Sequence, residues 1–167
     1  MTAQPDSIVL SGSAEESQPI EFPAGLIGFD EWKHFVVLTH PGGEPLRLLQ
    51  SLDDVRVSFI IADPRQILAD YQIALSEADT QSLQYPGSSQ TPWLDETQSS
   101  VYCILSAQEE PFSVTANLLG PLVINWQSGL GRQIILSNSG YNPRHPLAGN
   151  LMAESATPMV GEEQESC

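Results

Sequence analysis

Seven apolar segments, none longer than eight residues, punctuate the middle of this 167-residue chain and limit what it can fold into. They are KHFVVLT (33–39), LRLLQSL (46–52), RVSFIIA (56–62), VYCILSA (101–107), FSVTANLL (112–119), PLVINW (121–126) and RQIILS (132–137). Each has the length and composition of a strand. Between them stand HPGGEP, DD, QEEP, GP and SGLG, which is turn chemistry. Connections this short favour antiparallel pairing, because a parallel crossover needs a dozen or more residues. Seven short strands with little helix predict a barrel or a sandwich.

One short helix is expected in the gap between the third and fourth segments. Ser76 followed by Asp79 has the form of a helix start, and SEADTQSLQ suits about two turns. YPGSSQTPWLDETQSS then reads as a long polar loop. Residues 1–17 and 151–167 lack sustained periodicity and read as disordered tails, the second acidic, around one domain at 18–150. Within the strands, alternation assigns faces. Val57, Phe59 and Ile61 oppose Arg56, Ser58 and Ile60; Phe112, Val114, Ala116 and Leu118 oppose Ser113, Thr115 and Asn117. Pro121 cannot donate a ladder hydrogen bond, so VTANLLGPLVIN reads as two strands with a bend at Gly120-Pro121.

Charge narrows the function. Six basic residues face 21 acidic ones for a net of −15, and without the seven acids of the two tails the balance is still −8. Such a surface repels phosphate backbones and disfavours direct nucleic-acid binding; a basic protein partner is attracted instead. No apolar run approaches the roughly 20 residues of a membrane span. The first 18 residues carry no Lys or Arg and no long apolar stretch, unlike a secretory signal, so a cytoplasmic location is expected. Cys103 in an apolar run reads as a buried, inert thiol, and a disulfide from it to Cys167 is disfavoured.

Candidate sites were weighed residue by residue. Asn125 reads as a structural carboxamide at a bend, whereas Asn117 is divided between a backbone role and a partner-facing one. Gly25 and Gly28 in PAGLIGF lack the Lys-Ser/Thr of a phosphate loop and read as turn glycines. His34, His40 and His145 are too scattered for a metal site, and His145 is expected to fix the C-terminal segment. Asp63-Pro64 is expected to close a strand, the carboxylate capping the turn. No nucleophile elbow is present, so no catalytic residue, metal or cofactor is assigned. The acids Asp53, Asp54, Asp63, Asp70, Glu77 and Asp79 are the candidate partner contacts, with Tyr71 beside Asp70 as an amphipathic one.

These segments also occur in a known order. F-P-x-G-x-x-G-F at Phe22 to Phe29, an apolar strand ending in Asp63-Pro64, T-A-N-L at Thr115 to Leu118, P-x-x-I-N at Pro121 to Asn125 and Y-x-x-R-H-P-L at Tyr141 to Leu147 resemble the flagellar assembly factor FliW family from about Pro19 to Leu147. The resemblance implies an all-β fold: a small, mostly antiparallel, β-barrel-like domain with at most one or two short helices. It makes Gly25, Gly28, Phe29, Pro64, Thr115, Pro121, Asn125 and His145 motif positions. It implies two partners for a cytoplasmic, monomeric protein: the C-terminal region of flagellin, and CsrA, a small basic dimeric RNA-binding protein that represses flagellin translation. Flagellin occupies the factor until it is exported; the freed factor then antagonises CsrA allosterically. The 83–100 loop and the acidic tail depart from the family pattern. The competing readings are a flagellin chaperone without CsrA activity and a flavin-binding barrel enzyme, the latter disfavoured by so few basic residues.

Overall fold

The computed structural model describes residues 18–39, 45–86, 98–109 and 112–147. Both expected tails, most of the 83–100 loop, His40 and Cys167 lie outside these residues. Among the described residues nine strands are present: β1 (Ile20–Glu21), β2 (His34–Leu38), β3 (Arg47–Ser51), β4 (Ser58–Ala62), β5 (Ser99–Glu109), β6 (Phe112–Ala116), β7 (Leu122–Asn125), β8 (Leu130–Gln133) and β9 (His145–Pro146). One helix, α1 (Glu77–Ser82), and a 3-10 turn (Pro64–Gln66) join them.

The strands close in the order β4-β3-β2-β1-β8-β7-β5 and back to β4, a barrel of seven. Every neighbouring pair in this ring is antiparallel except β1 with β8, which meet in parallel at Glu21 and Leu130. The all-β, mostly antiparallel barrel expected from the sequence is therefore the fold.

The eleven-residue β5 organises the molecule. One edge pairs with β4 at 103–105; the other pairs with β7 over 99–102 and with β6 over 105–109. Its side chains alternate between two cores. Tyr102 enters the barrel interior with Ile20, Phe22, Phe35, Leu49, Ile61, Leu122 and Ile124. Val101, Cys103 and Leu105 point outward into a second core with Tyr71, Ile73, Leu75 and Leu83, supplied by the 64–83 segment that crosses over the barrel wall. Burial of both faces is why VYCIL and LVI are unbroken apolar runs rather than alternating ones. Each such side chain contributes roughly 1.5–3 kcal/mol of transfer free energy.

Local chemistry fixes the details. Ser76 Oγ accepts from Asp79 N at 3.0 Å and Asp79 Oδ2 accepts from Ser76 N at 3.3 Å, the capping box expected of that spacing. Asp63 Oδ1 accepts from Arg65 N at 2.9 Å and caps the turn after β4, with Pro64 buried in its first position. Gly131 faces the Phe22 ring so closely that a Cβ would sit 2.5 Å from Cζ, while Phe22 meets Phe35 edge-on at 5.5 Å.

Two strands end well before the segments expected of them, for one reason. FSVTANLL is strand only to Ala116 and RQIILS only to Gln133. β6 and β7 lie end to end along the same edge of β5, with Ala116 opposite Leu105 and Leu122 opposite Tyr102. Residues 117–121 thus stand across from only 103 and 104, and the surplus bulges outward. Asn117 holds the bulge: its Oδ1 accepts from Leu119 N at 3.1 Å and Gly120 N at 2.9 Å. Ile134 N and Leu136 N still donate in the β7–β8 register, to Pro121 O and Leu119 O at 2.8 and 2.9 Å, but Pro121 has no N–H to return and Leu119 N is taken by Asn117, so the ladder is one-sided there.

Candidate functional site

The β4–β5 ladder ends at Ile60 opposite Leu105, yet β4 stays paired with β3 to Ser58 and β5 with β6 to Glu109. The two strands part, and the opening is a groove of about 840 Å³. One wall is Ser58, Phe59 and Ile60; the other is Ser106, Ala107, Gln108, Thr115 and Asn117. The 26–29 loop, Gln133, Ile135, Pro143 and Arg144 complete the rim. Thr115 and Asn117 thus lie on the face of the sheet that lines this groove.

The rim loop is held tightly. Gly25 and Gly28 have φ of +70° and +87°, and a Cβ on Gly25 would meet Asp30 Cα at 2.5 Å, so both are turn glycines as expected. Leu26 and Phe29 close the turn, with Phe29 N donating to Leu26 O at 2.8 Å. Phe29 stacks on Trp32 at 5.6 Å and meets Phe59 edge-on at 5.4 Å. Gln133, which sequence reasoning missed, joins loop to bulge. Its Oε1 accepts from Ile27 N at 2.8 Å and its Nε2 donates to Gly120 O at 2.9 Å. The available signal was a carboxamide inside RQIILS, a strand pattern otherwise apolar at that point.

Four large apolar side chains stand exposed around this opening: Ile27 (59%), Phe29 (44%), Ile60 (44%) and Ile135 (48%). Among the described residues, Arg144 is the one charged side chain lining it. A cleft between parted strand edges, with exposed apolar side chains and one cation at its rim, suits an extended peptide, whose backbone can pair with either edge.

The acids chosen from the sequence are not brought together. Asp53 and Asp54 lie in the β3–β4 connection, Asp63 at the other end of β4, and Asp70, Glu77 and Asp79 on the covering segment. Most have structural duties. Asp53 Oδ2 accepts from Lys33 N and His34 N at 2.7 and 3.0 Å, and these backbone bonds hold its carboxyl below the usual carboxylate range. Asp54 takes a forked pair from Arg56 Nε and Nη2 at 3.1 and 3.0 Å, which lowers its pKa. Asp79 Oδ1 accepts from Arg132 Nε at 2.8 Å as well as capping α1. Only Asp70 and Glu77 of the six are exposed without such a duty among the described contacts.

Tyr71 requires correction. Expected as a surface contact, it is 2% exposed, its hydroxyl donates to Leu118 O at 2.6 Å, and its ring packs on Tyr141 at 4.5 Å. The cause is alternation: Tyr71, Ile73 and Leu75 all turn inward from an extended segment. Asn125 is buried, donating to Leu83 O at 2.8 Å and accepting from Gln127 N at 3.1 Å, a structural carboxamide. His145 belongs to β9, which seals part of the β6 edge through Ala116. Burial pushes the Cys103 thiol up to about 12, so it is no nucleophile at neutral pH.

The sequence model of the family described as FliW protein matches residues 10–147. A flagellar assembly factor FliW from Clostridium beijerinckii is 36% identical over 137 residues, covering 81% of this chain and 90% of the relative. One from Desulfitobacterium hafniense is 34% identical over 145 residues, covering 87% and 90%. The solved crystal structure of a flagellar assembly factor FliW is similar at a TM-score of 0.66 and 32% identity, over 81% of this chain and 89% of that one.

Proposed function

The chain belongs to the FliW family of flagellar assembly factors, and from that premise we propose that it binds flagellin as a chaperone and antagonises CsrA. In this reading the protein works in the cytoplasm by exchanging one protein partner for another, and carries out no catalysis. Flagellin held before export blocks the factor; its departure frees the factor to bind CsrA and relieve repression.

The observation that supports this best is the groove. Phe29, Thr115 and Asn117, from two separate family motifs, meet there with three further exposed apolar side chains, Ile27, Ile60 and Ile135. We assign the flagellin segment to it. CsrA, being basic, is drawn by the overall acidic field rather than by one cluster. A flagellin chaperone without CsrA activity is favoured by one observation: Asp54, Asp63 and Asp79 each lie beside an arginine, at 3.0, 3.7 and 2.8 Å, which weakens the local field.

Purified components on a sizing column decide between these. The chain should co-migrate with CsrA at low salt, and added flagellin should release the CsrA. Binding of flagellin alone would support the narrower reading, and co-migration with neither would refute both. Reversal of Asp70 and Glu77, which are exposed, should weaken the CsrA complex and reduce its salt dependence. Asp53 is unsuitable for this test because its carboxylate anchors two backbone amides.

A further inference from the structure

The chain itself is brought to the groove at its far end. Pro143 and Arg144 line the rim, β9 pairs antiparallel with β6, and Leu147 N donates to Val114 O at 3.1 Å. At Leu147, the last residue described, the chain thus lies beside β6, whose Thr115 lines one wall of the groove. The other end of the described residues is elsewhere: Gln18 donates to Trp126 O at 3.1 Å, and neither residue lines the groove.

The twenty residues after Leu147 read AGNLMAESATPMVGEEQESC. They hold four glutamates and no basic residue, with apolar pairs at Leu151-Met152 and Met159-Val160. Two of the chain's three methionines are among them, and methionine adapts well to irregular apolar clefts. The groove offers apolar side chains and a single charge, Arg144, of the opposite sign to this segment. Three residues span roughly 10 Å when extended, so Leu151 and Met152 are within reach of a groove whose rim begins at Arg144.

We infer that the segment following Leu147 is a tethered occupant of the groove, with Leu151 and Met152 covering its exposed apolar side chains and its glutamates facing Arg144. It acts as an internal competitor that any groove ligand must displace. A short tether supplies an effective concentration on the order of 1 mM, so even a weak intrinsic contact near 0.1 mM would hold back a competing ligand about tenfold. The contact needs no partner protein, so its failure is distinguishable from failure of the flagellin and CsrA assignment.

The test compares the full chain with a full-chain Leu151→Ser, Met152→Ser variant by amide NMR. Expected is a shift of the Ile27, Ile60 and Ile135 signals on substitution, independent of protein concentration. A synthetic peptide of residues 148–160 added to the variant should move them back. Arg144→Glu, a surface change, should produce part of the same shift. Unmoved groove signals in both variants would overturn the inference. So would shifts that appear only as protein concentration rises, which would make a second copy the occupant.

Discussion

Asn117→Ala separates the two roles offered for the carboxamide in the groove wall. The side-chain oxygen accepts from Leu119 N and Gly120 N at 3.1 and 2.9 Å, and Gly120 is buried while Leu119 is half-buried. Alanine leaves both donors without that acceptor. A buried unpaired donor costs about 1–3 kcal/mol, and a half-buried one less because water reaches it, so the sum is about 2–3 kcal/mol. For a domain of this size that lowers Tm by about 6–9 °C. Asn117→Asp keeps the acceptor and strengthens it with charge, so its stability should stay within about 1 kcal/mol of the parent. It nevertheless places a carboxylate in the groove. Urea unfolding and flagellin binding on the two variants give opposite patterns if the reasoning holds: alanine unstable, aspartate stable but impaired in binding. An alanine variant within about 0.5 kcal/mol of the parent would refute the claim that this oxygen holds the bulge.

Three further outcomes follow from the same contacts. Tyr71→Phe removes the hydroxyl from Leu118 O and should cost about 1–2 kcal/mol in urea unfolding without altering partner binding, since the residue is buried. Gly131→Ala drives a Cβ to within 2.5 Å of the packed Phe22 ring; overpacking of this kind costs about 1–3 kcal/mol, read as a lowered urea midpoint. Burial raises the Cys103 thiol from 9.0 to about 12, so the unfolded chain ionises first. That contribution to stability is complete below pH 9 and falls away between pH 9 and about 12, and Cys103→Ala should flatten this part of the unfolding free energy against pH.

Strand positions were legible because period two is written into short segments by burial on one or both faces. The covering segment was legible in part. The alternation of Tyr71, Ile73 and Leu75 with Gln72 and Ala74 was present, but without ladder partners nearby it did not read as a strand, and Tyr71 looked like a loop residue. The groove was hidden for a different reason. It exists because β4 and β5 pair over three residues and then separate, and that depends on register between segments some forty residues apart. Thr115 and Asn117 were correctly placed on the face opposite Ala116 and Leu118, but nothing local says that this face opens onto a cleft.

The acidic residues teach the reverse lesson. Charge was the strongest global signal, and it led to Asp53, Asp54, Asp63 and Asp79 as contacts. A short-chain carboxylate in a turn meets backbone amides first, and three of the five arginines lie beside such carboxylates. Charge that is locally paired contributes little to any one contact, because exposed pairs are worth only about 0.2–1 kcal/mol. The excess of acids nonetheless survives pairing and acts at a distance, raising encounter rates with a basic partner and weakening with salt. Under the proposed assignment the groove binds by the opposite physics, through apolar contact and strand edges that salt scarcely affects. The two partners proposed for this chain are therefore told apart by salt: raising it should weaken the CsrA complex and leave the groove contact nearly unchanged.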